Sequence, residues 1–260
     1  MPATFERIEI EIADGVGWIW LNRPEKRNAL DRALVEELHT GATILGNDDN
    51  VRVVVLGGRG PAFCAGADLE YLRRMAGFTL DDNMEDSAAL ARTLRTLHDL
   101  PKPTVARVHG PAIAGGCGLA TICDLVVASE QASFGYTEVR IGFIPAIVMA
   151  FLVRKASSIR VRELLLSGRI VSASEAYEKG LVTEVVSGDQ SAFDARLQEI
   201  VGAIANASGS ATQMTKEMLT ALEGMSLDAG LEYAARMNAL ARMTPDCQAG
   251  IARFLNKEQR

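Results

Sequence analysis

Two glycine-rich segments hold the residues of this chain that could stabilise a developing negative charge. Residues 110–124 read "GPAIAGGCGLATICD" and contain four glycines but only one charged residue, Asp124. Residues 60–72 read "GPAFCAGADLEYL". Glycine has no Cβ, so such clusters are typical of places where the backbone closely approaches a ligand or another segment. Each segment follows a strand-like run and leads into a helix-like stretch, whose first amide groups would be free to donate hydrogen bonds.

These features predict an anion or oxyanion site built from backbone amides. Loops that follow neighbouring buried strands can converge at one edge of a sheet, and one amide from each loop forms an oxyanion hole. No Gly-Lys-Ser/Thr follows either segment, so no P-loop is encoded, and neither segment is a GxGxxG dinucleotide turn. For either segment alone, tight packing of a strand on a helix is the alternative explanation.

Composition and simple sequence patterns argue against several classes of protein. The 260 residues include 27 Lys and Arg against 33 Asp and Glu, a net charge of −6 that argues against a nucleic-acid surface. The longest apolar runs, such as "IPAIVMAFLV", are too short to span a bilayer. The four cysteines form no CxxC pair and have no histidine at ligand spacing, so we expect reduced thiols and no metal site. No signal-peptide pattern opens "MPATFERIEIEI", and we expect a cytoplasmic protein.

Hydrophobic periodicity indicates an α/β chain. "RIEIEIA" and "GVGWIWLN" flank Asp14-Gly15 and predict a hairpin, residues 28–45 predict an amphipathic helix, and "VRVVVLGG" predicts a strand buried on both faces. After about residue 145 the pattern becomes mainly helical. We therefore predict a core of repeated strand–strand–helix units over residues 1–188 and a helical region over residues 189–260.

Five blocks of the sequence resemble the crotonase family, the enoyl-CoA hydratases and isomerases. They are "LNRPEKRNAL", "GRGPAFCAGADL", "KPTVARVHGPAIAGGCGLATICDLVVASEQASFG", "TEVRIGFIP" and "LSGRIVSASEAYEKGLVTEVV", in the family's order and spacing over roughly residues 5–187. The resemblance implies an α/β fold, a crotonase-like spiral of ββα units with a C-terminal helical trimerisation region. It also implies a homotrimer or a dimer of trimers.

The same resemblance implies a coenzyme A thioester as substrate and no separate cofactor. The amides of Ala67 and Gly115 fall at the two donors to the thioester oxygen. The residues that the resemblance places along the coenzyme A and acyl path are Lys26, Arg27, Ala65, Ala67, Asp68, Leu69, Glu70, Gly115 and Gly118. Glu70 stands where many relatives have lysine. Near the C-terminus, "GIARFLNKEQR" resembles the family's ending, so Phe254 and Lys257 are expected to reach the coenzyme A of a neighbouring subunit.

One of the two acids usual in the family's hydratases is absent. Where these enzymes have "GGGCELA" this chain has "AGGCGLA", so Gly118 replaces a glutamate. The second acid is present as Glu138 in "TEVRIG", and we assign it proton transfer at the substrate Cα. Ala146 and Ile147 replace glycines that border the acyl pocket in relatives, so that pocket is expected to have a different shape.

Three functions remain open at this point. The first is reversible hydration of a 2-enoyl-CoA or dehydration of a 3-hydroxyacyl-CoA. It is favoured by the segment "FGYTEVRIGFIPAIVMAFLVRK", which resembles the hydratase branch, including the methylglutaconyl-CoA type. Economy of mechanism favours a Δ3,Δ2-enoyl-CoA isomerase, which needs only the acid at Glu138. The third is a catalytically weak relative that binds acyl-CoA or RNA. A nucleophilic hydrolase is disfavoured, since no Ser–His or Cys–His pair lies near the loops.

Overall fold

The computed structural model describes residues 4–156 and 159–258. The strands are β1 (Ile8–Ala13), β2 (Val16–Leu21), β3 (Val53–Gly58), β4 (Thr104–Val108), β5 (Ala112–Ile113), β6 (Leu125–Ser129), β7 (Ser133–Gly135), β8 (Val171–Ser172) and β9 (Glu184–Val186). The helices are α1 (Arg32–Asn47), α2 (Leu69–Met75), α3 (Leu80–His98), α4 (Gly115–Ile122), α5 (Ala146–Lys155), α6 (Ile159–Ser167), α7 (Ala173–Glu178), α8 (Gln190–Ala205), α9 (Gly209–Leu222), α10 (Leu227–Met243) and α11 (Pro245–Glu258). Across these ranges, no helix combines the length and the apolar character needed to cross a membrane.

The larger sheet has the strand order β1-β2-β3-β4-β6-β9. β1 pairs antiparallel with β2 through a turn in which Asp14 and Gly15 have φ values of 50° and 78°, as a tight hairpin requires. The remaining neighbours pair in parallel. The predicted hairpin and the α/β class are therefore confirmed, and the carboxyl ends of the parallel strands meet at one edge.

Both faces of this sheet are covered. On one face, α1, α3 and α4 bury a large apolar cluster that includes Leu34, Leu56 and Leu119. On the other face, Phe193, Leu197 and Val201 of α8 pack against valines of β2, β3, β4 and β6. The predicted boundary between residues 188 and 189 thus falls just before a helix that completes the core, and the division into two units stays a prediction.

A second, three-stranded sheet fixes the start of α4. Its order is β5-β7-β8, and β5 pairs in parallel with β7. The amide of Ala114 also donates to the carbonyl of Gly135, at 2.7 Å. Since α4 begins at residue 115, this pairing brings its N-terminus beside the chain that leaves β7.

The segment from residue 23 to residue 31 supports the loop between β3 and α2. Asn28 is fully buried, and its Nδ2 donates to the carbonyls of Arg59 and Ala62, both at 2.8 Å. Arg23 is also buried and pairs with Asp68 at 2.9 Å. The motif "NRPEKRNALD" therefore supplies buried polar groups that hold the loop in place, a role for which sequence patterning gave no signal.

Asp68 joins this support to helix α2. It caps the helix by accepting from the amides of Glu70 and Tyr71, at 2.8 and 3.2 Å. Burial opposes ionisation of the carboxyl, but the hydrogen bonds from Tyr71, Arg23, Glu70 and Lys26 outweigh it and lower the pKa of Asp68 to about 2. The ionised form is therefore favoured by folding, and its contribution to stability is present above the unfolded pKa and lost as the pH falls towards 2.

Replacing Asp68 by Asn should lower the free energy of unfolding by about 2 kcal/mol at pH 7, because Asn can still cap the helix but cannot attract Arg23. The deficit relative to the native protein should shrink as the pH falls from about 5 to about 2. Urea unfolding across this range measures it, with the exposed Asp81→Asn as control. A deficit that stayed constant down to pH 3 would show that the charge on Asp68 is not its source.

Candidate active site

The two glycine-rich segments predicted to converge lie against each other, backbone to backbone. The amide of Cys64 donates to the carbonyl of Pro111 at 3.1 Å, and the amide of Ile113 donates to the carbonyl of Cys64 at 2.9 Å. A Cβ on Gly116 would lie 2.3 Å from that same carbonyl oxygen. Glycine is thus required at 116 because the segments approach more closely than any side chain allows.

The amides of Ala67 and Gly115 are left free at this junction. On either side of Ala67, the amide of Leu30 donates to Gly66 O at 2.7 Å and the amide of Asp68 donates to Leu30 O at 2.8 Å. Within the described residues no acceptor contacts the amide of Ala67, which lies on an exposed residue. Gly115 is the first residue of α4, where an amide has no partner inside the helix. Two free amides on adjoining segments can both donate to one oxygen atom.

Ala114 orients the second of these amides at a cost in backbone strain. Its φ and ψ are 51° and −124°, a conformation that favours glycine. Such a residue costs about 1–3 kcal/mol and persists only where the surroundings impose it. Here the hydrogen bond to Gly135 O and the start of α4 impose it. The strain therefore sits directly before a predicted oxyanion donor.

Glu138 follows β7, the strand that pairs with β5, and has a buried carboxylate without an ion pair among the described residues. It opens the 3₁₀ turn Glu138–Ile141 after β7, which ends at Gly142 with φ 78°. The residue is 8% exposed, and its Oε2 is buried with no hydrogen-bond partner in the described part of the chain. Burial raises the pKa of this carboxyl above its ordinary value. A carboxylate with a raised pKa and no ion pair is suited to taking up and returning a proton.

Gly118 faces a side chain that sequence analysis did not identify. It is buried in α4, and a Cβ built on it would lie 2.3 Å from Cγ2 of Val148 in α5. Ala146 is exposed and Ile147 is half-buried. The residue of this segment that contacts Gly118 is instead the next one, Val148. No sequence pattern could reveal this, since the contact depends on how closely α5 approaches α4.

The predicted coenzyme A contacts lie at the outer end of the first loop. Leu69 and Glu70 are exposed, Ala65 is half-buried, and the Asp68 carboxylate is engaged inside the protein. Lys26 Nζ lies 3.2 Å from both Asp68 Oδ2 and Glu70 Oε2. These carboxylates already partner the ammonium group, so a phosphate would have to compete with Glu70 for it.

Arg27 and the C-terminal residues are placed differently. Arg27 is exposed with φ 51°, and its carbonyl accepts the amide of Ala65 at 3.0 Å. Phe254 is exposed on α11. Lys257 lies on the same helix, but its side chain is outside what the structure describes. A contact of these two residues with coenzyme A in a neighbouring subunit stays a prediction.

Other reactive groups near the loops are occupied or buried. Burial raises the pKa values of the Cys64, Cys117 and Cys123 thiols to about 12, so none is a nucleophile at neutral pH. His109 donates from Nε2 to the carbonyl of Gly60 at 2.8 Å, and burial lowers its pKa. This histidine therefore joins the two loops and is not placed as a base.

A cavity of about 450 Å³ lies at the opposite end of α4. Lys155 Nζ donates there to the carbonyls of Ile122 and Cys123, at 2.6 and 2.8 Å. Lys216 Nζ contacts Asp124 Oδ2 at 2.8 Å. Both ammonium groups are already paired, Lys155 with the last carbonyls of α4 and Lys216 with Asp124. We therefore place the candidate active site at the N-terminal end of α4 and not in this cavity.

Comparison with known proteins agrees with this geometry. The family described as "Enoyl-CoA hydratase/isomerase" matches residues 11–260. A relative from Thermus thermophilus, provisionally named an enoyl-CoA hydratase, is 43% identical over 93% of this chain and 95% of its own. The 2,3-dehydroadipyl-CoA hydratase of Escherichia coli is 34% identical over 91% of each chain.

The fold has close counterparts among solved structures. The enoyl-CoA hydratase of Mycobacterium smegmatis superposes with a TM-score of 0.91 and 31% identity over 97% of each chain. A Legionella pneumophila structure, provisionally titled an enoyl-CoA hydratase/isomerase (crotonase), superposes with a TM-score of 0.91 and 34% identity over 98% of each chain. This chain therefore belongs to the enoyl-CoA hydratase/isomerase family and has the crotonase fold that its sequence predicted.

Proposed function

We propose that this protein is an enoyl-CoA hydratase that adds water reversibly to a 2-enoyl-CoA with Glu138 as its acid/base. The observation that carries the proposal is that the amides of Ala67 and Gly115 are free on adjoining segments, while the chain that leaves β7 carries a buried, unpaired carboxylate at Glu138. Relatives named as hydratases, among them the Escherichia coli enzyme and a crotonyl-CoA hydratase of Syntrophomonas wolfei, support the reaction class.

In this mechanism the thioester oxygen accepts hydrogen bonds from the two amides. Glu138 removes a proton from water, the water oxygen bonds to Cβ, and the electrons of the double bond move onto the thioester oxygen as an enolate. The amides stabilise that charge by roughly 2.7–4 kcal/mol each. Glu138 then returns the proton to Cα, so one carboxylate is regenerated in each cycle.

The missing first glutamate and the branch within the family belong to this proposal. Gly118 stands where the resemblance expects that acid, and the local likeness of residues 134–155 points to the methylglutaconyl-CoA hydratase branch. A Δ3,Δ2-enoyl-CoA isomerase is the second candidate, because Glu138 is then sufficient alone. Incubation with crotonyl-CoA and with 3-hexenoyl-CoA, followed by mass spectrometry, separates them, since hydration adds the mass of water and isomerisation adds none.

The remaining partner predictions are also part of the proposal. Lys26, Arg27, Ala65 and the segment 67–70 would line the coenzyme A path, with Phe254 and Lys257 supplied by a neighbouring subunit. A binding protein without catalysis is the least supported function, given that Glu138 is present. The expected cytoplasmic location stays a prediction.

Glu138→Gln should lower kcat by about 10²–10⁴-fold with little change in KM, since the amide keeps the shape but cannot accept the proton. In the native enzyme, kcat/KM should fall as the pH drops through the raised pKa of Glu138. Steady-state kinetics over pH 5–8 measures both effects. The exposed Glu178→Gln is the matched control. Turnover above about a third of the native value in the Glu138→Gln variant would refute the assignment.

The same variant should be more stable than the native protein at neutral pH. Folding raises the pKa of Glu138, so its protonated form is favoured in the fold, and the stability linked to it is lost as the pH rises through that pKa. A neutral glutamine side chain at this position would avoid this loss. The gain in Tm should therefore be present at pH 8 and vanish below the ordinary glutamate pKa. A gain that did not change with pH would point to packing instead of charge.

Gly115→Pro should lower kcat/KM by about 10²-fold or more, because proline removes one amide donor at a helix position that tolerates it. Gly115→Ala is the matched control, since it keeps the amide and its Cβ would meet only the end of the Leu30 side chain, at 2.9 Å. Circular dichroism checks that both variants fold. Near-native activity in a folded proline variant would exclude Gly115 as a donor.

We expect a trimer or a dimer of trimers in solution. The C-terminal helices expose large apolar side chains that an isolated chain would leave in water; they are Leu227, Leu231, Leu240, Met243, Ile251, Phe254 and Leu255. Light scattering at micromolar concentration measures the assembly. A mass equal to the 27.9 kDa of one chain would contradict both the trimer and the predicted role of Lys257.

A further inference from the structure

Val148 of α5 is the nearest neighbour of Gly118 from outside helix α4. The three atoms nearest to a Cβ at this position all belong to Val148: Cγ2 at 2.3 Å, Cγ1 at 3.1 Å and Cβ at 3.2 Å. Rotation of the valine could move its methyl groups but would leave its Cβ 3.2 Å from the added atom, so α4 and α5 would also have to move slightly apart. Glycine in a helix interior is less favourable than alanine, so its presence here reflects the close approach of α5.

Val148 contacts α4 one turn after the predicted oxyanion donor, Gly115. Residue 118 is three positions after Gly115, so the two share one face of α4. The chain leaving β7 passes under the same helix, where the Tyr136 hydroxyl is 2.9 Å from Thr121 Oγ1. Two residues later comes Glu138. The proposed function puts the thioester oxygen at Gly115 and the substrate Cα at Glu138. On that premise the acyl Cβ lies near Gly118 and Val148.

The chemistry of this surface follows from Val148. The side chain is 6% exposed, apolar and branched, so it can neither hold a water molecule nor donate or accept a proton. Where a carboxylate at position 118 would be polar and flexible, Val148 presents a fixed apolar wall. Neither α4 nor α5 contains an acidic residue, so Glu138 remains the acid that we assign to the reacting carbons.

We infer that Val148 is a specificity-determining residue, and that the volume of its side chain limits the substituent that the acyl group can carry at Cβ. The inference rests on the proposed function for the position of the acyl group. The close contact with Gly118 is independent of it. The substrate is thus a 2-enoyl-CoA, and the size of its substituent at Cβ decides whether it fits. The surface that limits this size is the Val148 side chain of α5.

The contact is tested by a double-mutant cycle on Tm. Gly118→Ala alone should lower Tm by about 5 °C, since the new methyl group overlaps Val148. In a Val148→Ala background the same change should cost much less, because the overlapping methyl groups are gone. Val201→Ala is the matched control, as it removes the same atoms from the core under α8 and should give no relief. Equal costs of Gly118→Ala in all backgrounds would overturn the contact.

Selectivity is tested with saturated thioesters, which bind but cannot be hydrated. Isothermal titration calorimetry gives the dissociation constants of butyryl-CoA and 3-methylbutyryl-CoA, which differ by one methyl group at Cβ. Val148→Ala should shift their ratio about tenfold towards 3-methylbutyryl-CoA, and Val148→Ile should shift it in the opposite direction. Val201→Ala should leave the ratio at its native value.

The outcomes separate this inference from the proposed function. An unchanged ratio in both Val148 variants would overturn the role of Val148, whether or not the native protein hydrates crotonyl-CoA. Opposite shifts in the two variants support the role. If the ratio shifted but the native protein did not hydrate crotonyl-CoA, the proposed reaction would be wrong and the role of Val148 in selectivity would still be supported.

Discussion

The site depends on the approach of two chain segments that share backbone hydrogen bonds and still leave one amide free on each. Cys64 bonds on both sides to the segment that leads into α4, and this pairing uses the polar groups that would otherwise compete for the free amides. Glycine at 116 permits the approach. Everything else in the fold, from the parallel sheet to the support at Arg23 and Asn28, keeps these segments in register. A catalytic group made of backbone can be positioned only by positioning the whole segment, which is why so much buried polar structure surrounds it.

Two buried carboxylates, Asp68 and Glu138, differ in pKa because their surroundings differ. Asp68 is surrounded by donors and a cation, so its pKa is low and its charge stabilises the fold. Glu138 has no such partners, and burial raises its pKa. A carboxyl group whose ionised form is stabilised by donors has a pKa far below neutral pH and is a poor proton carrier there. A buried carboxylate without such donors has a pKa closer to neutral pH and carries a proton more readily. The fold thus places its stabilising charge in the support of the first loop, and its destabilising charge is the carboxylate to which we assign the proton transfer.

Sequence patterning was informative wherever short-range rules decide the structure. The hairpin at Asp14-Gly15, the buried strand β3 and the meeting of the glycine loops followed from periodicity and turn chemistry, and the family followed from five blocks in order. Patterning failed where a long-range contact decides. Arg23 and Asn28 are polar residues in a turn-like stretch, and only the folded chain shows that they are buried. Val148 read as one more apolar residue of a helix, and only the approach of α5 to α4 reveals what it replaces.

The identity of residue 118 is coupled to the packing of α5 on α4. A glutamate there would need the volume that Val148 occupies, and Val148 could not sit so close to any residue but glycine. The two identities are thus coupled by sterics, and neither can change alone without a clash or a cavity. If position 118 is that of the first acid, as the resemblance implies, then the acid is absent together with the room for it, and the packing between α4 and α5 accounts for both. On the proposed function, a fixed apolar surface would then stand in place of a second titratable group, so shape would decide the selectivity and Glu138 alone would transfer the proton.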